Sequence, residues 1–407
     1  MTIFQTPLGR RAVLKGSSVA LASIAAPSIL RGAEPPTIKV GVLQPVTGAL
    51  AMDGEFGRTG AEFGIADINA KGGIKALGGA KLEMVFGDAR SNPEAGTQEV
   101  ERMQGEGVVA VVGGFASPIC LAASQAAARY ELPYLVDVGV SDQIVQRGLK
   151  NTFRFGPGFG TCARTAFDNL ARINELAGKP AKTVVLVHED GLFGSGLAKV
   201  MQQELPKLGF EILETLPVPT PSRDLSNVVL RLRSLNPDLV IPSTYYGETV
   251  LLARTMQQQR VRPKGVYGVL NGAASNLRFV KEFPEAADKI MDCNHWYDPR
   301  KPQAVDLIKR CLAAGKGWNY NIPMNYSCIG LLANALEQAG SVDRVKVTAA
   351  LAASTWADHV MPYGPTKFVD GQNTGAAPVS TQVQSGEIRV IFPEAFSDAK
   401  PIFPARA

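Results

Sequence analysis

What most constrains this chain is a unit that repeats along it: a strand-length apolar run, a loop rich in glycine and proline, then a stretch with helical spacing. The first copy spans residues 38–74. Ile38-Lys39-Val40-Gly41-Val42-Leu43 is the strand, and Pro45, Gly48 and Gly54 punctuate the loop. From Gly57 onward, Ala61, Phe63, Gly64, Ile65 and Ile68 fall toward one side, while Arg58, Glu62, Asp67 and Lys71 can stay wet. Further strands are expected at 82–86, 108–112 and 134–138, with helices at 93–103 and 119–130 between them. A run such as Val108-Val109-Ala110-Val111-Val112 has no polar alternation, so it belongs in a parallel sheet covered by helices on both faces.

The pattern breaks at Phe153-Arg154-Phe155-Gly156-Pro157-Gly158 and then resumes. Strands are expected at 183–188, 211–216, 239–242 and 265–269, with helices at 161–176, 195–208, 225–235 and 248–258. A chain of 407 residues is longer than one core supports, so the two series imply two α/β lobes, each a doubly wound parallel sheet. In open sheets of this kind ligands sit beyond the carboxyl ends of strands. The loops at 46–55, 115–118 and 138–142 lie there.

Residues 1–33 are of another kind. Gly9-Arg10-Arg11-Ala12-Val13-Leu14-Lys15 resembles a twin-arginine export motif, and the weakly apolar run that follows is too short for a stable membrane span, so a removable signal peptide and a periplasmic destination are expected. Setting aside the four basic residues of this segment leaves 38 of the chain's 42 Lys and Arg against 37 acids. A nearly neutral remainder argues against nucleic acid or an anionic membrane as partner. The five cysteines are widely spaced and form no C-x-x-C motif, and no metal or cofactor motif emerges, so neither a metal nor a cofactor is expected.

Val42-Leu43-Gln44-Pro45-Val46-Thr47-Gly48, followed by Asp67-Ile68-Asn69-Ala70-Lys71-Gly72-Gly73-Ile74, resembles the first unit of bacterial periplasmic solute-binding proteins of the leucine/isoleucine/valine type. Gly87-Asp88, Asn92-Pro93, Gln146-Arg147-Gly148 and the segment HEDGLFGSG from His188 agree in order and spacing. The resemblance covers nearly all of the chain after residue 36. It implies a type I periplasmic-binding fold, with a ligand cleft between two lobes joined by a multi-strand hinge. Lobe 1 would take residues 37–155 and 292–362, lobe 2 residues 156–291 and 363–407, with the third crossing near Tyr363. The implied partners are a small-molecule ligand and the permease and ATPase subunits of an ABC importer, and a monomer is expected. Where leucine-type members carry a cystine in the first lobe, this chain has Arg90 and Ala116, so that bridge is expected to be missing.

The resemblance also implies site residues. Ser117 matches a serine that holds the ligand carboxylate, and a helix start suits an anion because unpaired N–H groups and the helix dipole favour negative charge. The same hydroxyl could instead serve as a simple helix cap. Val138 and Val140 fall in the next cleft loop; Val140 stands where relatives have a threonine, with Ser141 beside it. Phe193 and the pair Tyr245-Tyr246 would supply an aromatic wall, with one tyrosine of the pair in the core because successive side chains alternate. At Leu270-Asn271 amino-acid-binding relatives carry an acid that pairs with the ligand ammonium. Leu270 cannot do this, and Asp53 in the opening loop could substitute. The ligand is thus an amino acid or, on the missing acid, a small aliphatic or aromatic carboxylate or an amide.

Two other classes remain in view. A ligand sensor would share the fold. A nucleotide-dependent enzyme would use Gly158-Phe159-Gly160-Thr161-Cys162-Ala163, with an acid among His188-Glu189-Asp190 for a ribose, but Pro157 interrupts that turn. No nucleophile motif is present, so catalysis is not expected.

Overall fold

The computed structural model describes residues 36–405. The twin-arginine-like segment lies outside the described residues. Among the described residues fourteen strands form two sheets. They are β1 (Thr37–Gln44), β2 (Lys81–Asp88), β3 (Val111–Gly113), β4 (Tyr134–Val136), β5 (Thr152–Arg154), β6 (Thr183–Glu189), β7 (Glu211–Val218), β8 (Leu239–Ser243), β9 (Gly265–Val269), β10 (Met291–Asn294), β11 (Phe368–Val369), β12 (Gln372–Asn373), β13 (Val379–Gln384) and β14 (Glu387–Phe392).

The first sheet runs β11-β12-β5-β4-β3-β1-β2 and the second β14-β13-β10-β9-β8-β6-β7. In both, the strands that alternate with helices pair in parallel; at one edge the first sheet adds β12 in parallel with β5 and β11 antiparallel to β12, and the second adds β13 and β14 by antiparallel pairing. Central β3, β4 and β8 are buried along their whole length, as doubly covered strands must be, while edge strand β7 is mostly half-exposed. The first-lobe core therefore combines Val40, Val42, Val111, Val112 and Leu135 with helix residues such as Ile119, Leu331 and Leu332.

The helix Ala51–Ala70 begins six residues before the expected start at Gly57, and this moves Asp53 from a loop into a first helical turn. It packs along the helix Asn321–Ala339. A Cβ at Gly60 would come within 2.3 Å of the Ile322 carbonyl oxygen, so the close approach requires glycine there.

Three segments connect the lobes; the first lies at the expected boundary, and the second and third correct theirs. Thr152–Arg154 is a strand of the first sheet, so the first crossing follows Arg154. β10 pairs with β9, so residues 292–294 belong to the second sheet and the chain returns only after Asn294. β12 pairs with β5, so the chain stays with the first sheet through Asn373 rather than leaving it near Tyr363. Such short strands carry no period to read. The buried Arg154 ties the hinge together: it donates to Gln372 Oε1 (2.7 Å), to the Ser141 carbonyl (2.7 Å) and to Asp142 Oδ1 (2.9 Å). All five cysteines are buried and unpaired.

Candidate functional site

The carboxyl ends of the two sheets face each other across a cleft, and the loops there build a small cavity. The first lobe contributes Phe115, Ala116, Ser117, Val138, Val140 and Tyr320. The second contributes Phe193, Tyr245, Leu270 and Gly272, with Asn294 at the second crossing. The cavity measures about 30 Å³, on a scale where one water needs about 10–15 Å³. The lobes are thus closed on one another. Tyr245 fills the middle, its ring 5.8 Å from Phe115 across the cleft and 5.1 Å from Phe193 on its own lobe.

A larger hollow of about 330 Å³ lies on the second lobe among Leu252, Met256 and Val266. Its described walls come from that lobe and the chain end alone, so nothing in it would respond to closure.

The polar end of the cavity lies at the start of the helix Ser117–Ala128, with Pro118 in its first turn. Ser117 Oγ accepts the Ser141 N–H at 3.2 Å. With an acceptor site already used, its own proton is free to be donated. The helix start adds first-turn N–H groups that an α-helix leaves without intrahelical partners. This end can therefore hold an acceptor atom. The remaining walls are apolar or aromatic.

Two wall residues have unusual backbones. Phe115 and Leu270 both have φ near +55°, in the left-handed region that bulky residues avoid. Each is backed by a buried aspartate. Asp137 Oδ1 accepts the N–H groups of Phe115 (3.0 Å) and Val138 (2.7 Å), and its Oδ2 accepts Gln44 Nε2 (2.8 Å). Asp292 Oδ1 accepts the Asn271 N–H (3.1 Å), and its Oδ2 accepts Ser275 Oγ (2.8 Å) and Asn294 Nδ2 (3.1 Å). Burial raises both carboxyls, Asp292 to about 7, and these hydrogen bonds oppose the rise.

Of the residues singled out in the sequence, Ser117, Val138, Val140, Phe193 and Tyr245 line the cavity. Ser141 is buried just behind Ser117, and its hydroxyl has no partner among the described residues. Tyr246 is half-buried and absent from the wall; it opens the helix Tyr246–Gln258, so the strand alternation expected of the pair does not apply. Asn271 does not line the cavity: its side-chain oxygen accepts from the N–H groups of Ala273 and Ala274, which shapes the loop.

Asp53, expected in the opening loop, is a buried carboxyl in the first helical turn. It is 2% exposed, accepts one long hydrogen bond from Asn319 Nδ2 (3.3 Å), and is pushed up to about 8 by burial and then by Glu248. Sequence reasoning missed Tyr320 and Asn294, which reach the cavity from segments far along the chain with no motif of their own.

The glycine pattern at Gly158 is taken up by the hinge, since a Cβ at Gly158 would lie 2.1 Å from the Arg154 guanidinium. Glu189, in the segment where a ribose acid was sought, instead accepts the Gly194 N–H at 2.7 Å.

Residues 37–387 match the family described as periplasmic binding protein. A Leu/Ile/Val-binding protein homolog 7 of Brucella melitensis is 26% identical over 92% of this chain and 96% of its own length. Among solved structures, a leucine binding protein of Thermotoga maritima superposes with TM-score 0.76 at 20% identity, covering 87% of this chain and 97% of that one. A solute-binding protein of R. palustris in complex with benzoate superposes with TM-score 0.74 at 21% identity, covering 87% and 95%.

Proposed function

Because the chain belongs to the periplasmic binding protein family, we propose that it captures a small molecule outside the cytoplasm and delivers it to an ABC importer of the branched-chain-amino-acid type. Its ligand is a small carboxylate or amide with an apolar or aromatic body and no free α-ammonium group. The observation that carries this reading is the pairing of a free hydroxyl proton on Ser117 at one end of the cavity with Leu270, not an acid, in the opposite wall. An ammonium buried against Leu270 would have no charged partner, and a desolvated cation without one is costly. The benzoate complex of a structurally similar protein supports a ring-bearing carboxylate, for which the cavity of about 30 Å³ would have to widen as the lobes re-close around the ligand.

Capture works by closure, which requires ligand contacts from both lobes. Ser117 and Val140 would hold the ligand first, and Phe193, Tyr245 and Leu270 would close over it. A second reading is favoured by Asp53, a buried carboxyl with one long hydrogen bond: it would take the ammonium of an amino acid. Export is proposed to follow the twin-arginine route through Arg10-Arg11.

The test is a thermal-shift screen followed by calorimetry with benzoate, aliphatic carboxylates, amides and leucine. Ligand at about a hundred times its dissociation constant stabilises the folded state by roughly 2.7 kcal/mol, which is readily seen. Binding confined to carboxylates without an amine supports the first reading. Micromolar leucine binding overturns it in favour of Asp53.

A further inference from the structure

We propose that Asp137 and Asp292 are a matched pair of positioning residues, one in each lobe, that hold the cleft's apolar walls by accepting backbone N–H groups where Phe115 and Leu270 turn left-handed. The ligand consequence rests on the cleft reading above; the backbone consequence does not.

The two sites are built alike. In the first lobe β3 ends at Gly113, and the chain turns through Phe115 at φ +55°; Asp137, just past the neighbouring β4, accepts the N–H of Phe115 itself. In the second lobe β9 ends at Val269, and the chain turns through Leu270 at φ +55°; Asp292, within the neighbouring β10, accepts the N–H of the next residue, Asn271. In both cases a carboxyl from the adjacent parallel strand braces the first residues after a strand end. A bulky residue in the left-handed region persists only where its surroundings over-determine it, and such strain gathers at ligand sites.

The bracing extends to the rest of each loop. Asp137 also accepts the Val138 N–H, so one oxygen joins the two first-lobe loops that carry Phe115, Ser117, Val138 and Val140. Asp292 also accepts from Ser275 and Asn294, which ties the Leu270 loop to the second crossing. Both aspartates are fully buried and neither lines the cavity. They therefore act through the walls and do not touch the ligand. The N–H groups of Phe115 and Val138 are spent on Asp137, which leaves Ser117 and its helix start to meet the ligand's acceptor end.

The test combines residue-resolved amide exchange on the purified chain with calorimetry, using benzoate and leucine as probes. Asp137→Ala is expected to speed exchange at Phe115 and Val138 by about tenfold or more while Asn271 is unchanged, and to weaken whichever probe binds by about tenfold, the loss expected when hydrogen bonds to a charged group disappear. Asp137→Asn keeps Oδ1 as acceptor for both N–H groups, and Gln44, whose Oε1 has no partner among the described residues, can turn that oxygen to the new Nδ2 at the loss of its Nε2 bond to Asn325 Oδ1; this variant should restore most of both readouts. Asp292→Ala should repeat the pattern at Asn271 with Phe115 unchanged.

Uniform loss of protection across β1, β3 and β4, with the Asn variant no better than Ala, would show a merely structural role and overturn the proposal. So would slow exchange at Phe115 in Asp137→Ala. If Asp137→Ala fails to fold, the Asp137→Asn and Asp292→Ala results decide. If neither probe binds the parent protein, the ligand reading fails while the exchange arm still decides the positioning role.

Discussion

Phe115 of the first lobe and Tyr245 of the second meet across the cleft with ring centroids 5.8 Å apart, so one aromatic contact joins the two halves at the point where a ligand would be enclosed. Tyr245 also packs on Phe193 at 5.1 Å, and this holds the ring in place. Such pairs contribute about 0.5–1.5 kcal/mol each beyond the area they bury. Tyr245→Ala is therefore expected to raise the dissociation constant about tenfold and to shift the unliganded protein toward an open shape. Calorimetry and small-angle scattering check this. An unchanged affinity and radius would remove Tyr245 from the closing wall.

Ser117 Oγ is already an acceptor for Ser141, which leaves its proton for the ligand. A hydrogen bond to a charged acceptor contributes roughly 1.5–3 kcal/mol, so Ser117→Ala should weaken carboxylate binding by about tenfold or more. Ser117 is not the N-cap residue of its helix, a place held by Ala116, so no cap is lost, but the change leaves the buried Ser141 N–H without its acceptor and should lower the melting temperature modestly alongside the loss of affinity. A fall in melting temperature with intact affinity would assign the hydroxyl to the fold instead.

How far the sequence reveals this arrangement depends on what each residue does. The strand at Gly265–Val269 was expected and is observed, because a bounded apolar run reads directly as a buried strand. The start of the first helix was hidden by its glycines. Gly54 reads as a loop signal, but a Cβ there would lie 2.2 Å from the Pro45 carbonyl oxygen, so this glycine serves close packing inside the helix. Strands of two to four residues, β10, β11 and β12, carry too little period to read, and the second and third crossings displaced by them could not be located in advance. Ser117, Val140 and Tyr245 were legible because they follow strand ends. Asp137 and Asp292 were not, because an aspartate at the end of an apolar run looks like an ordinary turn until the neighbouring loop is seen to bond to it.

The buried Asp53 should give the protein a pH-dependent stability. Its carboxyl rises from 3.8 to about 8 in the fold, chiefly through burial, so between these values the native state holds a proton that the unfolded chain releases. Stability from this group is complete below about 4 and falls as pH rises through the window to about 8, since the native state binds more protons there. Asp292, raised to about 7, acts in the same direction. The parent protein should lose more melting temperature between pH 5 and pH 8 than Asp53→Asn, which keeps an acceptor for Asn319 without the titration. Parallel pH profiles for the two proteins would contradict the assignment.

The lobes are also joined by backbone away from the hinge. Asn276 of the second lobe and Asn319 of the first form an isolated antiparallel bridge, and the Leu277 N–H donates to the Trp318 carbonyl at 3.1 Å. Parting of the lobes at this seam would have to break these contacts. Directly opposed residues of an antiparallel pair stand about 4.5–5.5 Å apart at Cα, which is within disulfide reach. The double variant Asn276→Cys with Asn319→Cys should cross-link under oxidising conditions and trap the closed form; both positions are buried in the shut seam and are uncovered when it parts, whereas the five native cysteines stay inside the lobe cores and should not compete. Trapping would slow ligand association by at least about tenfold, since entry requires the lobes to part, and reductant should restore it. Association that is equally fast in the oxidised and reduced protein would mean that ligand enters without opening this seam.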